Sequence, residues 1–241
     1  MANFQAHLSA AAALSGLASM TCLSMELVSP NEVFFLWGVG VIGGILPDVD
    51  SNHSTSLQLI FTLLATIIAF AASVHHIHYF SIVELWIIWG IVYALVRYVV
   101  IIFIKKLTLH RGTFHSLGMA LLFGFIITVF SFRLLNANAV FAWLLGLFAA
   151  FGFTIHLLLD EANSIELKDK IRVKRSLGTA IKLLDWKDKT ASVIMIISII
   201  LMFSLTPEIN ALKQLFNQNQ WHTFSQNILP KERWFQPHPI K

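Results

Sequence analysis

The stretch AVFAWLLGLFAAFGFTIHLLLD, residues 139–160, carries no charge until its last residue. A helix needs roughly 20 apolar residues to cross about 30 Å of hydrocarbon. Ala139–Leu159 therefore reads as a membrane span. Its strongest polar groups, His156 and Asp160, gather at one end and lie four residues apart. That spacing puts both side chains on one helix face. It is also the geometry by which a helix offers two ligands to one metal ion. The same segment thus points to a bilayer helix and to chemistry at its end.

Six further stretches have span-like hydropathy: Ala6–Leu27, Val33–Leu46, Leu57–Val74, Ile82–Ile104, Phe114–Leu134 and Ala191–Leu205. The second and the last are short. The last is open to three readings: a tilted span, a re-entrant piece or an interfacial helix. Composition agrees with a membrane chain. Of the 241 residues, 56% are hydrophobic and only 12% are charged, against about 25% charged in soluble domains. Mean hydropathy is +0.72. These values exclude a soluble enzyme, a disordered chain and a nucleic-acid module. The single cysteine, Cys22, excludes a disulfide framework and a thiolate metal cluster.

The expected fold is all-α, a polytopic transmembrane helical bundle of six or seven spans. Residues 1–160 form the bundle. A charged loop at 161–190, a last hydrophobic helix at 191–206 and a polar C-terminal tail at 207–241 follow. Basic residues near span ends mark the cytoplasmic side. Lys105, Lys106 and Arg111 precede the fifth span, and Lys168, Lys170, Arg172, Lys174, Arg175, Lys182, Lys187 and Lys189 follow the sixth. Two spans separate these groups, so both face the cytoplasm.

Counting spans brings four polar clusters to that same face. His7 opens the first span. Asp48 and Asp50 end the second, in Gly43-Gly44-Ile45-Leu46-Pro47-Asp48-Val49-Asp50. His110, Arg111, His115 and Ser116 precede the fifth, in His110-Arg111-Gly112-Thr113-Phe114-His115-Ser116. His156 and Asp160 close the sixth. Imidazole and carboxylate without thiolate suit a divalent metal, zinc first, with manganese or iron as alternatives. Four histidines and three aspartates exceed one tetrahedral shell. They fit two ions sharing a bridging carboxylate, as in phosphate-ester hydrolysis.

The expected ligands are His7, Asp48, Asp50, His110, His115, His156 and Asp160. Asp48, Asp50 and His110 are the candidates for a direct catalytic role, with a metal-activated water as nucleophile. Arg111 can clamp a phosphate through its planar fork. Ser116 either orients a ligand or caps the fifth helix. Arg97 lies about 10 Å of helix from Ile104, too deep to reach the interface easily. It should face the bundle and find an acid or a carbonyl. His75, His76 and His78 fall on the opposite side without carboxylates and read as a polar turn. His53 is a further candidate ligand near Asp50. Trp186, Trp221 and Trp234 flank polar segments and look like interfacial anchors.

The ordered set Ala6-His7, Gly-x-x-Pro-Asp-x-Asp, His-Arg-Gly-x-x-His-Ser and His-x-x-x-Asp resembles one bacterial family, the LexA-binding, inner membrane-associated metal-dependent hydrolases. The matching region is about Met1–Asn163. The resemblance implies a multi-pass protein of the bacterial inner membrane with a predicted, phospholipase-like hydrolase activity. Membrane lipid would be both its environment and its substrate. Nothing in the residues points to a nucleic-acid or protein partner, LexA included. Family members carry Thr and Gly soon after the last Asp. Here Asp160-Glu161-Ala162-Asn163-Ser164 stands instead. The competing functions are a metal-ion or proton transporter, which should place polar groups through the depth of the bundle, and a metal-stabilised protein without turnover.

Overall fold

The computed structural model describes residues 4–50, 82–100, 115–163 and 189–217, with isolated positions between and after them. Helix α1 is Phe4–Ser24. Helix α2 is Pro30–Ile45 and runs on into a 3-10 turn, Leu46–Asp50. Helix α3, Ile82–Ala94, continues as a π-helix over Leu95–Val100. Helices α4, Leu117–Arg133, and α5, Ala139–Ala162, follow. Helix α6 is Lys189–Leu205 and the short α7 is Ile209–Gln214.

Local chemistry sets these boundaries. Pro30 stands in the first turn of α2, where its missing N–H is not needed. Glu32 reaches back to accept from the backbone N–H and the hydroxyl of Ser29, both at 2.8 Å. Asn138 caps α5 by accepting from the Phe141 N–H at 2.8 Å. The turn before it passes through Asn136 at φ 52°, a left-handed conformation that asparagine tolerates.

Three helices are long and apolar enough to cross a membrane: Phe4–Ser24, Pro30–Asp48 and Ala139–Ala162. The expected short second span is therefore lengthened at both ends, to 19 residues. Helices α4 and α6 are apolar but shorter, at 17 residues each. More than half of the expected span Leu57–Val74 lies outside the described residues, as does the end of Ile82–Ile104. Among the described residues, three helices meet the length of a span and two more are apolar but shorter. Within the expected loop 161–190, Ile165–Glu166 and Arg172–Val173 pair as a two-residue antiparallel ladder, a departure from a purely helical chain.

Helix α5 is the centre of the bundle and packs against α1, α2, α4 and α7. Lipid tails are as apolar as leucine, so hydrophobicity does not pull membrane helices together. Close backbone contact between small residues does. Gly40, Gly43 and Gly44 of α2 meet Ala149 and Gly152 of α5 in this way. A Cβ on Gly152 would fall on the Gly40 carbonyl oxygen, and one on Gly43 on that of Ala149. Ala11 of α1 closes the same junction against Gly44. The outward surfaces are apolar. Leu17 and Met20 of α1, Phe34 and Phe35 of α2, and Ile197 and Ile200 of α6 are all exposed. Such a rim suits hydrocarbon, not water.

Helix α6 runs beside α4 from end to end. The Ser116 hydroxyl lies 3.9 Å from the Met195 sulfur, the Phe125 and Phe203 rings are 5.4 Å apart, and Arg133 Nε donates to the Leu205 carbonyl at 3.4 Å. The last hydrophobic helix thus covers the depth that α4 covers. Helix α7 then docks at the start of α5, where Ala211 and Leu215 join Trp143 in the core.

Replacing Gly152 by Val should destabilise the bundle by about 1–3 kcal/mol through overpacking. Gly38→Ala, where an added Cβ meets nothing within 4 Å, should leave it unchanged. Thermal unfolding of both variants in detergent checks this.

Candidate metal centre

The polar ends of four segments meet at one end of the bundle. His7 lies on the buried face of α1, in line with Ala11, Ser15 and Ser19 at four-residue intervals. The 3-10 turn after α2 presents Asp48, beside a fully buried Pro47. His115 immediately precedes Ser116, the cap of α4. His156 and Asp160 project from the last turns of α5.

Asp160 is the hub. Its Oδ1 lies 3.4 Å from His7 Nε2. Its Oδ2 lies 3.6 Å from His156 Nε2 and 3.9 Å from His115 Nε2. Asp48 Oδ1 is 3.6 Å from the same His156 Nε2. The His7 and His156 rings stack, with centroids 3.7 Å apart and planes inclined by 14°. His115 meets His156 edge-on at 5.8 Å.

The hydrogen bonds define what these nitrogens can do. His156 Nδ1 lies 2.8 Å from the Gly44 carbonyl oxygen. A carbonyl only accepts, so Nδ1 carries the proton and Nε2 of the neutral ring presents a lone pair. Histidine ligands of metals are typically oriented by such a bond. Neither ring nitrogen of His7, nor Nε2 of His156, has a hydrogen-bond partner among the described residues. Both rings are fully buried. Buried polar atoms left in this way cost about 1–3 kcal/mol each. A lone pair facing carboxylate oxygens is repulsive until a cation or proton comes between them.

The separations favour a cation. At 3.4–3.9 Å they exceed the usual N–H···O range of about 2.7–3.2 Å. Two ligands each about 2.0–2.1 Å from a tetrahedral zinc ion are about 3.3–3.4 Å apart. The donor atoms of His7, His156 and Asp160 all lie within 4.8 Å of one another, so these three residues could hold a metal ion.

Of the residues singled out in the sequence, His7, Asp48, His115, His156 and Asp160 converge. Asp50 ends the 3-10 turn, and its side chain lies outside the described residues. His110, Arg111, His53, His75, His76, His78, Trp186 and Trp234 also lie outside them, and Trp221 is exposed. Ser116 acts as a cap, accepting from the Met119 N–H at 3.2 Å. Among the described residues, Arg97 meets neither an acid nor a carbonyl. Its Nε donates to the Thr62 hydroxyl at 3.1 Å, and its guanidinium lies 5.6 Å from the centre of the Tyr98 ring.

Sequence reasoning missed the backbone contributions. The Gly44 carbonyl orients His156. The carbonyls of Lys182 and Leu183 accept from Leu117 and Gly118 at 2.9 and 3.1 Å, tying the charged segment to the start of α4 beside His115. Backbone acceptors carry no residue signature, so only the Gly43-Gly44 pair hinted at either contact.

A helical membrane protein with a buried histidine–aspartate group at one bundle end is the class that the fold and site define. The YdjM inner membrane protein family matches residues 1–168, and the chain belongs to that family. No curated protein and no solved structure matches the chain.

Purified protein should carry a transition metal, and His156→Ala and Asp160→Asn should each lose most of it. A change in the second sphere of a metal typically lowers affinity about 10–100-fold, so loss of a direct ligand should do at least as much. Elemental analysis of matched preparations reads the outcome. Wild type without metal after zinc loading would overturn the assignment.

Proposed function

We propose that the protein is a membrane-bound metal-dependent hydrolase of a lipid phosphoester or ester. The observation that carries this reading is the set of buried imidazole nitrogens of His7 and His156 turned on Asp160 without hydrogen bonds. A divalent ion there, zinc by preference, would supply Lewis acidity to the substrate and ease deprotonation of a water. Two ions remain the arrangement that best uses seven ligands, with Asp160 offering its two oxygens to different imidazoles.

The chain's own residues supply orientation and proton handling. The Gly44 carbonyl holds His156 in one tautomer, so no reorganisation precedes binding. His7 and His156 are fully buried and close the inner side of the group. The Asp48 side chain is 25% exposed and that of His115 is 12% exposed, so these two line the open side. Asp48 Oδ1 is placed to take a proton from an attacking water and to release it to solvent. Asp50 and His110 are the further candidates for proton transfer, and Arg111 for clamping a phosphate. A general base of this kind typically contributes about 10²–10⁴-fold.

A group at helix ends lies near headgroup level, where a lipid reaches it from the side. In the sequence Lys105, Lys106 and Arg111 precede α4, and by the positive-inside rule this reading puts that end at the cytoplasmic face of the inner membrane. In this multi-pass reading, α6 carries the tail to the opposite face.

Zinc-loaded protein should hydrolyse at least one member of a panel of phospholipids and phosphodiesters. Asp48→Asn and His110→Ala should lower turnover about 100-fold or more, whereas His76→Ala should not. Metal-replete protein inert to the whole panel would leave a metal-stabilised membrane protein as the reading that survives.

A further inference from the structure

Helix α7 takes no part in the metal centre and lies at the other end of the bundle. It is tied to the start of α5 by the Trp143 indole, whose Nε1 donates to the Glu208 carbonyl at 3.4 Å. Trp143 and Asp160 stand on the same helix, about 25 Å apart at 1.5 Å per residue. The hydrocarbon of a bilayer is about 30 Å thick. A bundle that holds its histidine–aspartate group at one membrane surface therefore presents α7 at the other. Helix α6 runs the same distance. Met195 meets Ser116 at the start of α4, and the Leu205 carbonyl meets Arg133 at its end.

Three faces can be told apart on α7. Ala211 and Leu215 point inward, at 8% and 5% exposure, and join Val28, Leu36 and Trp143 in the core. Asn210, Lys213 and Gln214 have the spacing of one helix face and are exposed. Ile209 and Phe216, two turns apart, form a third face and are 44% and 62% exposed. Leu212, partly buried against the core, leads from the first face to the third. Phe203 and Leu205, exposed at the end of α6, stand just before the turn into α7.

A helix packed on a protein in water needs one apolar face. The second apolar face of α7 needs an apolar medium beside the bundle, and its polar face needs water. The boundary of a bilayer supplies both. Two exposed side chains are too few for a stable protein interface, which buries about 800 Å² on each partner.

We infer that α7 is an interfacial anchor in the leaflet opposite the histidine–aspartate group. Ile209 and Phe216 enter the boundary of the acyl chains, and Asn210, Lys213 and Gln214 face water. Helix α6 then crosses the bilayer, and α7 fixes its far end at the surface. None of this depends on a bound metal.

The test uses the full chain with Cys22→Ala, carrying single cysteines labelled with an environment-sensitive fluorophore. The protein is reconstituted in vesicles of phosphatidylethanolamine and phosphatidylglycerol, with and without acyl-brominated lipid. Labels at Ile209→Cys and Phe216→Cys should emit at shorter wavelength, be quenched by brominated lipid and escape iodide present on both sides. Labels at Asn210→Cys and Lys213→Cys should behave in the reverse way. In intact cells and inverted membrane vesicles, an impermeant maleimide should reach Asn210→Cys from one side and Ala162→Cys only from the other. Iodide quenching at Ile209 and Phe216 equal to that at Asn210 overturns the inference. Quenching of those two labels by neither agent overturns the lipid assignment in favour of a contact between protein copies. Labelling of Asn210→Cys and Ala162→Cys from the same side overturns the opposite-leaflet placement. Asn210 and Ala162 are both exposed, so the side comparison stands even where Phe216→Cys fails to fold.

Discussion

The backbone contact between α2 and α5 is the constraint on which the rest of the structure depends. In hydrocarbon, two helices gain little by burying apolar side chains against each other. They gain by approaching closely, and Gly40, Gly43, Gly44 and Gly152 remove the side chains that would prevent it. That approach also shapes the histidine–aspartate group. It brings the Gly44 carbonyl to 2.8 Å from His156 Nδ1, and so fixes which nitrogen of His156 faces the carboxylates. Packing and site are one arrangement seen at two depths.

Placing the polar group at the bundle end follows from the same economy. A buried histidine or aspartate at mid-depth would be unfavourable on both sides of the membrane. At the end, His7 and His156 are shielded by α1, α2 and α5, while Asp48 and His115 still reach the surface. The start of α4 is held by Ser116, and by the carbonyls of Lys182 and Leu183 that accept from Leu117 and Gly118. His115 is therefore braced from two parts of the chain. Arg97 stands apart on α3, with the Thr62 hydroxyl and the Tyr98 ring as its neighbours among the described residues.

Much of this was legible before any coordinates. The span Ala139–Leu159 follows from length and hydropathy, and the structure extends it by only a turn, to Ala162. His156 and Asp160 share a face by helical period alone. The convergence of His7, Asp48 and His115 on them was legible only as a shared bundle end, reached by counting spans. The span count itself was less secure. Hydropathy marks apolar stretches but does not say where a cap such as Ser116 starts a helix, or whether Ala191–Leu205 crosses or lies flat. The contacts of Met195, Phe203 and Leu205 show only that this helix packs along α4. Arg97 was expected to find an acid or carbonyl and, among the described residues, meets a hydroxyl, because partner choice depends on which helix packs alongside.

By itself the sequence determined the solvent and the inventory: an apolar chain suited to a bilayer, poor in charge, with imidazoles and carboxylates gathered near helix ends. Those properties are local, set by composition and by the 3.6-residue period. Only the tertiary structure decided which donors share a site, which nitrogen of His156 is exposed to Asp48 and Asp160, and that Asp160 serves three imidazoles at once. These are matters of distance between segments far apart in the chain. They depend on how closely backbones approach, and a carbonyl such as that of Gly44 carries no side chain by which to be read.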